Sequence, residues 1–583
     1  MRTHLFALFL FLFPLVASAQ WQRSLSAEGG WNFKRGNSEN VDFKLSYSDS
    51  NLTVGTHLFF GHDFRPSSEV TSILDAKKQQ DEYYKSESED IENQHFNAGA
   101  GVSLGYRFNR ANALNASVDY RFNRSYEASS LLTERFNNAD RSLLNGSQLD
   151  SAIIHTHTLN TKIAFSHHFD RPDARLSLSL SSSMDFNSDV NRRLASGSFY
   201  DKSKNYTTHS NLNDFLSLFS ASYSDRFLFN HNALDLVAGF DLASNQEIDG
   251  YSAENFVNGD WRDSADYRQS YFYNALALEP FVNLSFSFGK LVFFLNERVQ
   301  FFRHLMLDKL DGRRLDEYEN GLFDKVDVKN LLAAGASFRF NETHSLSLDY
   351  GHTISRPDYK KLCPTVMIGE SDDECFIGNP DLLPESTDKV NLAYTYSYSI
   401  FVTRLDLSYS YKNNTAEKVI DLNKSDISPA SPLTIYTWIN NKRKQSYSAR
   451  IDLKMNGEDI LADIWAGFNY DIFGNNQKTN KEDFNYVLGT SIDVSISPSA
   501  KLSSRLVYTS AKMSAYSLKG ENVWASLRFT KTIVKGLDIY AELSDIVDRD
   551  GYEETWNADM NYIKVSTTKN KNRFLLIGLN YLF

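Results

Sequence analysis

Apolar and polar residues alternate singly along much of this 583-residue chain, the period of a strand with one face on an apolar medium and the other on water. From Leu114 to Phe122, Leu114, Ala116, Val118, Tyr120 and Phe122 take one face while Asn115, Ser117, Asp119 and Arg121 take the other. Leu176, Leu178 and Leu180 alternate with Ser177, Ser179 and Ser181, and Leu405, Leu407, Tyr409 and Tyr411 alternate with Arg404, Asp406, Ser408 and Ser410. Ile464, Ala466, Phe468 and Tyr470 repeat the pattern against Asp463, Gly467 and Asn469, with Trp465 the exception. A buried strand of a soluble sheet does not carry this many charges on its second face, whereas a strand lining a wet or plugged lumen does.

The last ten residues sharpen this. Leu575, Ile577, Leu579, Tyr581 and Phe583 share one greasy face, and Phe583 ends the chain. In lipid an unpaired strand edge costs several kcal/mol per polar group, so this strand is expected to close a ring with the first one. The fold class that follows is all-β: a transmembrane antiparallel β-barrel.

Short turns are expected near 49–51, 109–112, 170–173, 230–232, 289–290, 341–344, 398–400, 457, 498–499 and 535–536. Longer connections alternate with them, near 63–94, 123–152, 188–210, 246–266, 305–326, 356–385, 414–434 and 550–570. Barrels of the outer membrane put short turns in the periplasm and long loops outside, and their strand number is even. The tally is about 22 strands, about ten turns and about eleven outer loops.

At the other end Arg2, the apolar run Leu5 to Val16 and Ala17-Ser18-Ala19 read as a secretory signal peptide over 1–19, leaving 20–583 as the barrel domain. That run is shorter than the roughly 20 residues of a spanning helix. The mean hydropathy of the chain is negative, which polar lumen residues and loops account for. Aromatic residues, with 42 Phe and 31 Tyr, are abundant enough for two interfacial girdles. A net charge of −12 argues against nucleic acid as a partner. Integral placement in the bacterial outer membrane, in contact with its lipid, is the expected location.

Ser355-Arg356-Pro357-Asp358-Tyr359, then Gly378-Asn379-Pro380-Asp381-Leu382-Leu383-Pro384-Glu385 and a strand at Lys389 to Tyr396, resemble the barrels of TonB-dependent receptors. In that family a similar R-P-x-Y and N-P-x-L-x-P-E pair brackets the outer loop before a late strand. The matching positions here are Arg356, Pro357, Tyr359, Asn379, Pro380, Leu382, Pro384 and Glu385. The prolines fix φ and bias their predecessors away from helix, steering the chain out of a loop into a strand. Trp438 to Met455, containing Asn440-Asn441-Lys442, is similar to the strand after the next outer loop. The resemblance implies import of a scarce, bulky ligand. The first amphipathic segment, Trp21 to Phe33, starts so soon after the cleavage site that neither a plug domain nor a TonB-contacting segment is expected before it, which puts TonB contact in doubt. A separate plug protein or a surface lipoprotein becomes a candidate partner. The terminal aromatic strand ending in Tyr581 and Phe583 resembles the signal read by the barrel-assembly machinery.

Cys363 and Cys375 fall in one exported loop and are candidates for a disulfide, worth roughly 3 kcal/mol in the chain-entropy account. A metal reading lacks further Cys or His nearby. The acidic runs Glu370 to Glu374 and Asp63 to Glu92 read as solvated loops, with cation binding the sharper alternative for the first. His155 with His157, two apart on one strand face, and His167 with His168 lack a third ligand and read as interfacial or lumen-facing. No H-E-x-x-H motif occurs, and neither an enzyme nor a cofactor is expected. Two functions remain in competition: solute uptake through the lumen, and a non-transporting scaffold or surface-binding barrel.

Overall fold

A computed structural model describes residues 21–582 apart from 33–36, 79–80, 138–142, 172, 198–203, 231, 258–259, 311, 313–325, 364–365, 369–373, 422–433, 475–479, 515–516, 548–550, 557–561 and 571–573. Residues 1–19, read above as a signal peptide, and Phe583 therefore lie outside the described residues. The strands are β1 (Trp21–Asn32), β2 (Asn37–Ser48), β3 (Leu52–Lys78), β4 (Asp81–Arg107), β5 (Asn112–Asn137), β6 (Leu143–His168), β7 (Arg175–Gly197), β8 (Lys204–Phe229), β9 (Asn232–Val257) and β10 (Asp260–Phe288). They continue as β11 (Leu291–Asp308), β12 (Asp327–Arg339), β13 (His344–Ser355), β14 (Val366–Ile368), β15 (Glu374–Ile377), β16 (Glu385–Tyr398), β17 (Phe401–Ile420), β18 (Thr434–Asn456) and β19 (Ile460–Gly474). The chain ends with β20 (Asn480–Ser497), β21 (Ala500–Thr509), β22 (Lys512–Met513), β23 (Ser517–Lys519), β24 (Asn522–Val534), β25 (Leu537–Ser544), β26 (Gly551–Trp556), β27 (Tyr562–Asn570) and β28 (Phe574–Leu582). A one-turn helix, α1 (Tyr359–Leu362), follows β13.

Of the 28 strands described, β14, β15, β22, β23, β26 and β27 belong to outer connections, and the other 22 pair neighbour to neighbour in one antiparallel ring. Closure is made where the sequence places it: β28 pairs antiparallel with β1, from Ser24 opposite Leu582 to Asn32 opposite Phe574. Neither terminal strand then exposes an unpaired edge to lipid.

All ten expected turns are present at the end where β1 begins and β28 finishes. Asparagine and aspartate side chains build several of them. Asn109 Oδ1 accepts the Ala111 and Asn112 amides at 2.9 and 2.8 Å, and Asn341 Oδ1 accepts those of Thr343 and His344. Asp49 takes the Asn51 and Leu52 amides, which hold its carboxyl below the usual carboxylate range. Exposed aromatic rings stand beside these turns: Phe108, Phe169, Phe229, Phe288, Phe340 and Tyr398. A second belt runs through Tyr409, Tyr447, Tyr470, Phe468, Phe484, Tyr486 and Tyr508, whose neighbouring rings lie 5.0 to 6.5 Å apart. The belts are separated by about nine residues along a strand, the length of a transmembrane β-strand.

The other end differs from expectation. The segments 63–94, 123–152, 188–210 and 246–266, read as long loops, are strand for most of their length. β3 and β4, 27 residues each, stay paired to Lys78 opposite Asp81, a hairpin of roughly 90 Å at 3.3 Å per residue. Beyond the outer belt neither face meets lipid, so the lipid-facing alternation disappears while backbone pairing continues. The acidic residues Asp81, Glu82, Glu87, Glu89 and Asp90 thus lie in β4. The segment 550–570 likewise holds β26 and β27, and β27 pairs with the outer part of β3.

Inside the wall, rings lie over neighbouring glycines. A Cβ on Gly489 would stand 2.0 Å from the Trp465 indole, one on Gly335 2.5 Å from Phe294, and one on Gly578 2.3 Å from Tyr540. This explains the Trp465 exception, since the missing side chain of Gly489 is filled by an inward indole. Gly467, also inward, has nothing within 4 Å of a built Cβ. Gly489→Val is expected to lower stability by about 1–3 kcal/mol and Gly467→Val to leave it near the parent, read by urea unfolding in micelles. Equal midpoints for the two variants would refute the packing role of Trp465.

Candidate functional site

The connection from β13 to β16 turns into the lumen. On β10 the residues Leu276, Leu278 and Val282 are exposed outward, so Tyr271, Tyr273 and Ala275 face inward. On β11 Phe293, Leu295 and Phe301 point outward, leaving Arg298, Gln300, Phe302 and Met306 inside. Leu362, Cys363 and Leu382 of the connection are buried in one cluster with Tyr271, Tyr273, Ala275 and Met306. Fully burying a leucine contributes about 1.5–3 kcal/mol, so this contact holds the connection against the inner wall.

The family-like motif supplies the polar anchors. Arg356 Nη1 donates to Asp327 Oδ2 at 2.6 Å, Nε and Nη2 donate to Gln300 Oε1 at 3.2 and 2.9 Å, and the guanidinium lies 4.0 Å from the Phe302 ring centre. Gln300 Nε2 donates onward to Glu279 Oε1 at 2.6 Å, and Arg298 Nη1 joins Glu279 to Asp241. Pro357 leads to Asp358, whose carboxylate accepts the Lys361 amide at 3.0 Å and starts α1 at Tyr359.

At the exit, Asn379 ties three segments together. Its amide donates to Lys361 O at 2.6 Å, its Nδ2 to Trp438 O at 2.9 Å, and its Oδ1 accepts the Asp381 amide at 3.0 Å across the Pro380 turn. Asn440 Oδ1 accepts the Leu383 amide at 2.7 Å, and its Nδ2 donates to the carbonyls of Leu383 and Asn414. Asn414, in the left-handed region at φ 59°, reaches the Pro384 carbonyl at 3.5 Å. Glu385 opens β16 and accepts Lys412 Nζ at 2.8 Å. Arg356, Asn379, Leu382, Pro384 and Glu385 of the motif therefore hold the two ends of the connection. Their partners Asp327, Gln300, Phe302 and Asn414 carry no local signal, because each lies a strand or more away in sequence.

Cys363 and Cys375 are both buried in this connection. Cys363 packs in the cluster above, and Cys375 in β15 stands opposite Ile368 and Ile435. Residues 370–373 of the acidic run lie outside the described residues. His155 and His157 sit on the outward face beside Phe122, and Tyr120 Oη meets His157 Nδ1 at 2.7 Å, the interfacial placement. His167 pairs with Asn112 near a turn. Among the described residues no group of three or more His, Cys, Asp or Glu is placed to hold a metal. Tyr581 lies in β28, opposite Leu25 of β1 and Leu537 of β25.

Residues 333–581 match the family model described as outer membrane protein beta-barrel family. The chain is an outer-membrane β-barrel protein. Its fold is that of TonB-dependent receptor barrels, as the motif resemblance implied. Similar solved structures include the ferripyoverdine receptor of the Pseudomonas aeruginosa outer membrane, at TM-score 0.64 and 13% identity over 97% of this chain and 72% of that one. The siderophore receptor PirA from Pseudomonas aeruginosa aligns at TM-score 0.53 and 12% identity, over 97% and 81%. The ferric citrate transporter FecA aligns at TM-score 0.60 and 11% identity, over 97% and 79%. No curated protein matches the sequence.

For this outer-membrane barrel, Arg356→Ala is expected to free the infolded connection without unfolding the wall. Charge-assisted hydrogen bonds contribute about 1.5–3 kcal/mol each, so amide exchange in 359–363 and 374–383 should speed up at least roughly tenfold. Unchanged protection there, or equal loosening of β17 and β18, would contradict this anchoring.

Proposed function

We propose that this protein takes a solute across the outer membrane through its lumen, with the 356–384 connection narrowing the outer mouth until it is displaced. The observation that carries this reading is a surface connection turned inward and held by a small apolar cluster and a few polar side chains, above an inner wall that is polar nearer the turns. Arg404 with Asp406 and Arg450 with Asp452 show that polarity on β17 and β18. The likeness in fold to proteins whose names are receptor and transporter supports uptake at the same coarse level. The scaffold reading draws on the same anchoring, since a connection that never leaves would shut the path.

Insertion through the barrel-assembly machinery, by way of β28 and Tyr581, belongs to this proposal. So do a separate plug protein or surface lipoprotein as partner, little dependence on TonB contact by this chain, and transport rather than catalysis. We also propose that Cys363 and Cys375 are joined. Denatured protein should then take up iodoacetamide only after reduction, and labelling without reductant would exclude the bond.

The decisive measurement is conductance in a planar bilayer, comparing the parent with a variant in which 356–384 is replaced by a short Gly-Ser bridge. Uptake predicts small or intermittent currents for the parent and a large, steady conductance for the variant. A variant that folds but stays silent would overturn uptake and favour the scaffold.

A further inference from the structure

On the inner wall from β19 to β25, Arg505 is exposed to the lumen between two indoles. Its guanidinium carbon lies 5.8 Å from the Trp465 ring centre and 5.6 Å from that of Trp524. Inward placement follows from the neighbours: Ile464, Leu506 and Leu527 are the exposed outward residues of β19, β21 and β24, and Trp465, Arg505 and Trp524 occupy the opposite parity. Trp465 lies over Gly489 and so fills the space that a side chain there would take. Directly across from Arg505 stand Ser491 on β20 and Ser526 on β24.

Several charges on this stretch of wall are paired. Asp493 pairs with Lys501 at 2.9 Å, Asp463 with Lys454 at 3.7 Å and Glu542 with Arg528 at 3.7 Å. Arg528 in turn stacks 3.6 Å from the Tyr540 ring centre. Among the described residues no carboxylate lies within ion-pair distance of Arg505. A guanidinium held between ring faces keeps its forked N–H groups for an oxyanion, and the indoles and serine hydroxyls offer a flat apolar surface and hydroxyl donors beside it.

We propose that Arg505, Trp465 and Trp524 form a lumenal binding site for an acidic solute whose carboxylate is carried on a flat ring. Arg505 takes the oxyanion, the two indoles pack on the ring, and Ser491 and Ser526 are within the same row for further hydrogen bonds. The site lies on the turn side of the outer aromatic belt, only a few residues up from the Pro498-Ser499 turn, and so below the infolded connection. This deepens the uptake reading, on which its biological use rests, by naming the class of solute.

Binding is tested without flux, so that its failure and the failure of uptake are separable. The full-length protein in micelles is titrated with 4-fluorobenzoate, and with neutral 4-fluorobenzamide, while the fluorine resonance is followed. The expected result is saturable broadening with the carboxylate, much weaker broadening with the amide, and a loss of affinity of roughly tenfold or more in Arg505→Gln. Arg505→Lys, which keeps the charge but not the planar fork, should fall between, and it decides the matter should the Gln variant fail to fold. Arg404→Gln, on the same inner wall but paired with Asp406, should bind like the parent. Equal binding of acid and amide, undiminished binding in the folded Arg505 variants, or no saturable binding to the parent would overturn the site.

Discussion

Backbone polar groups in hydrocarbon must be paired, and the membrane-spanning ring of this protein depends on that constraint. It forces β28 onto β1, makes the ring antiparallel with an even number of strands, and commits alternate side chains to lipid and lumen. The same requirement has no force beyond the outer belt, yet β3 to β10 continue there as long paired hairpins. In that region water can satisfy either loop or strand, and cross-strand pairing between neighbours already in register extends the wall.

The lumen is organised by a second, weaker rule. Several inward charges meet partners on the same or a nearby strand, as in Arg404 with Asp406, Lys501 with Asp493 and Arg298 with Asp241, and inward rings lie over glycines of the neighbouring strand. Both devices pair charge and fill space on the inner surface. Against this background the 356–384 connection stands out, because it brings leucines and a cysteine into the interior and secures them with Arg356, Asn379 and Asn440. Its anchors lie at both ends, and between them β15 pairs with β18. Arg505 stands out in the opposite sense, as a cation set between two indoles with a serine directly across on each side.

Much of the barrel was legible in the residues. The terminal greasy face, the alternation in segments such as Leu114 to Phe122, and the turn residues at Asn109, Asn341 and Gly289 place the strands within the membrane. The motif from Arg356 to Glu385 marks the connection that matters. Hidden from the sequence were the extended hairpins, since polar strands outside lipid lose their period, and the direction of the connection. The partners of Arg356 and Asn379 come from β11, β12 and β18, and nothing in their local sequence announces them.

The sequence by itself determined the barrel, its closure, its turns and its orientation, because lipid on one face imposes a period of two that any single strand must obey. Only the tertiary structure decided that the 356–384 connection folds inward, that Trp465 covers Gly489, and that Arg505 lies between two indoles. Those outcomes depend on register between strands and on contacts across the wall. Register is set by the whole closed ring rather than by the composition of any strand.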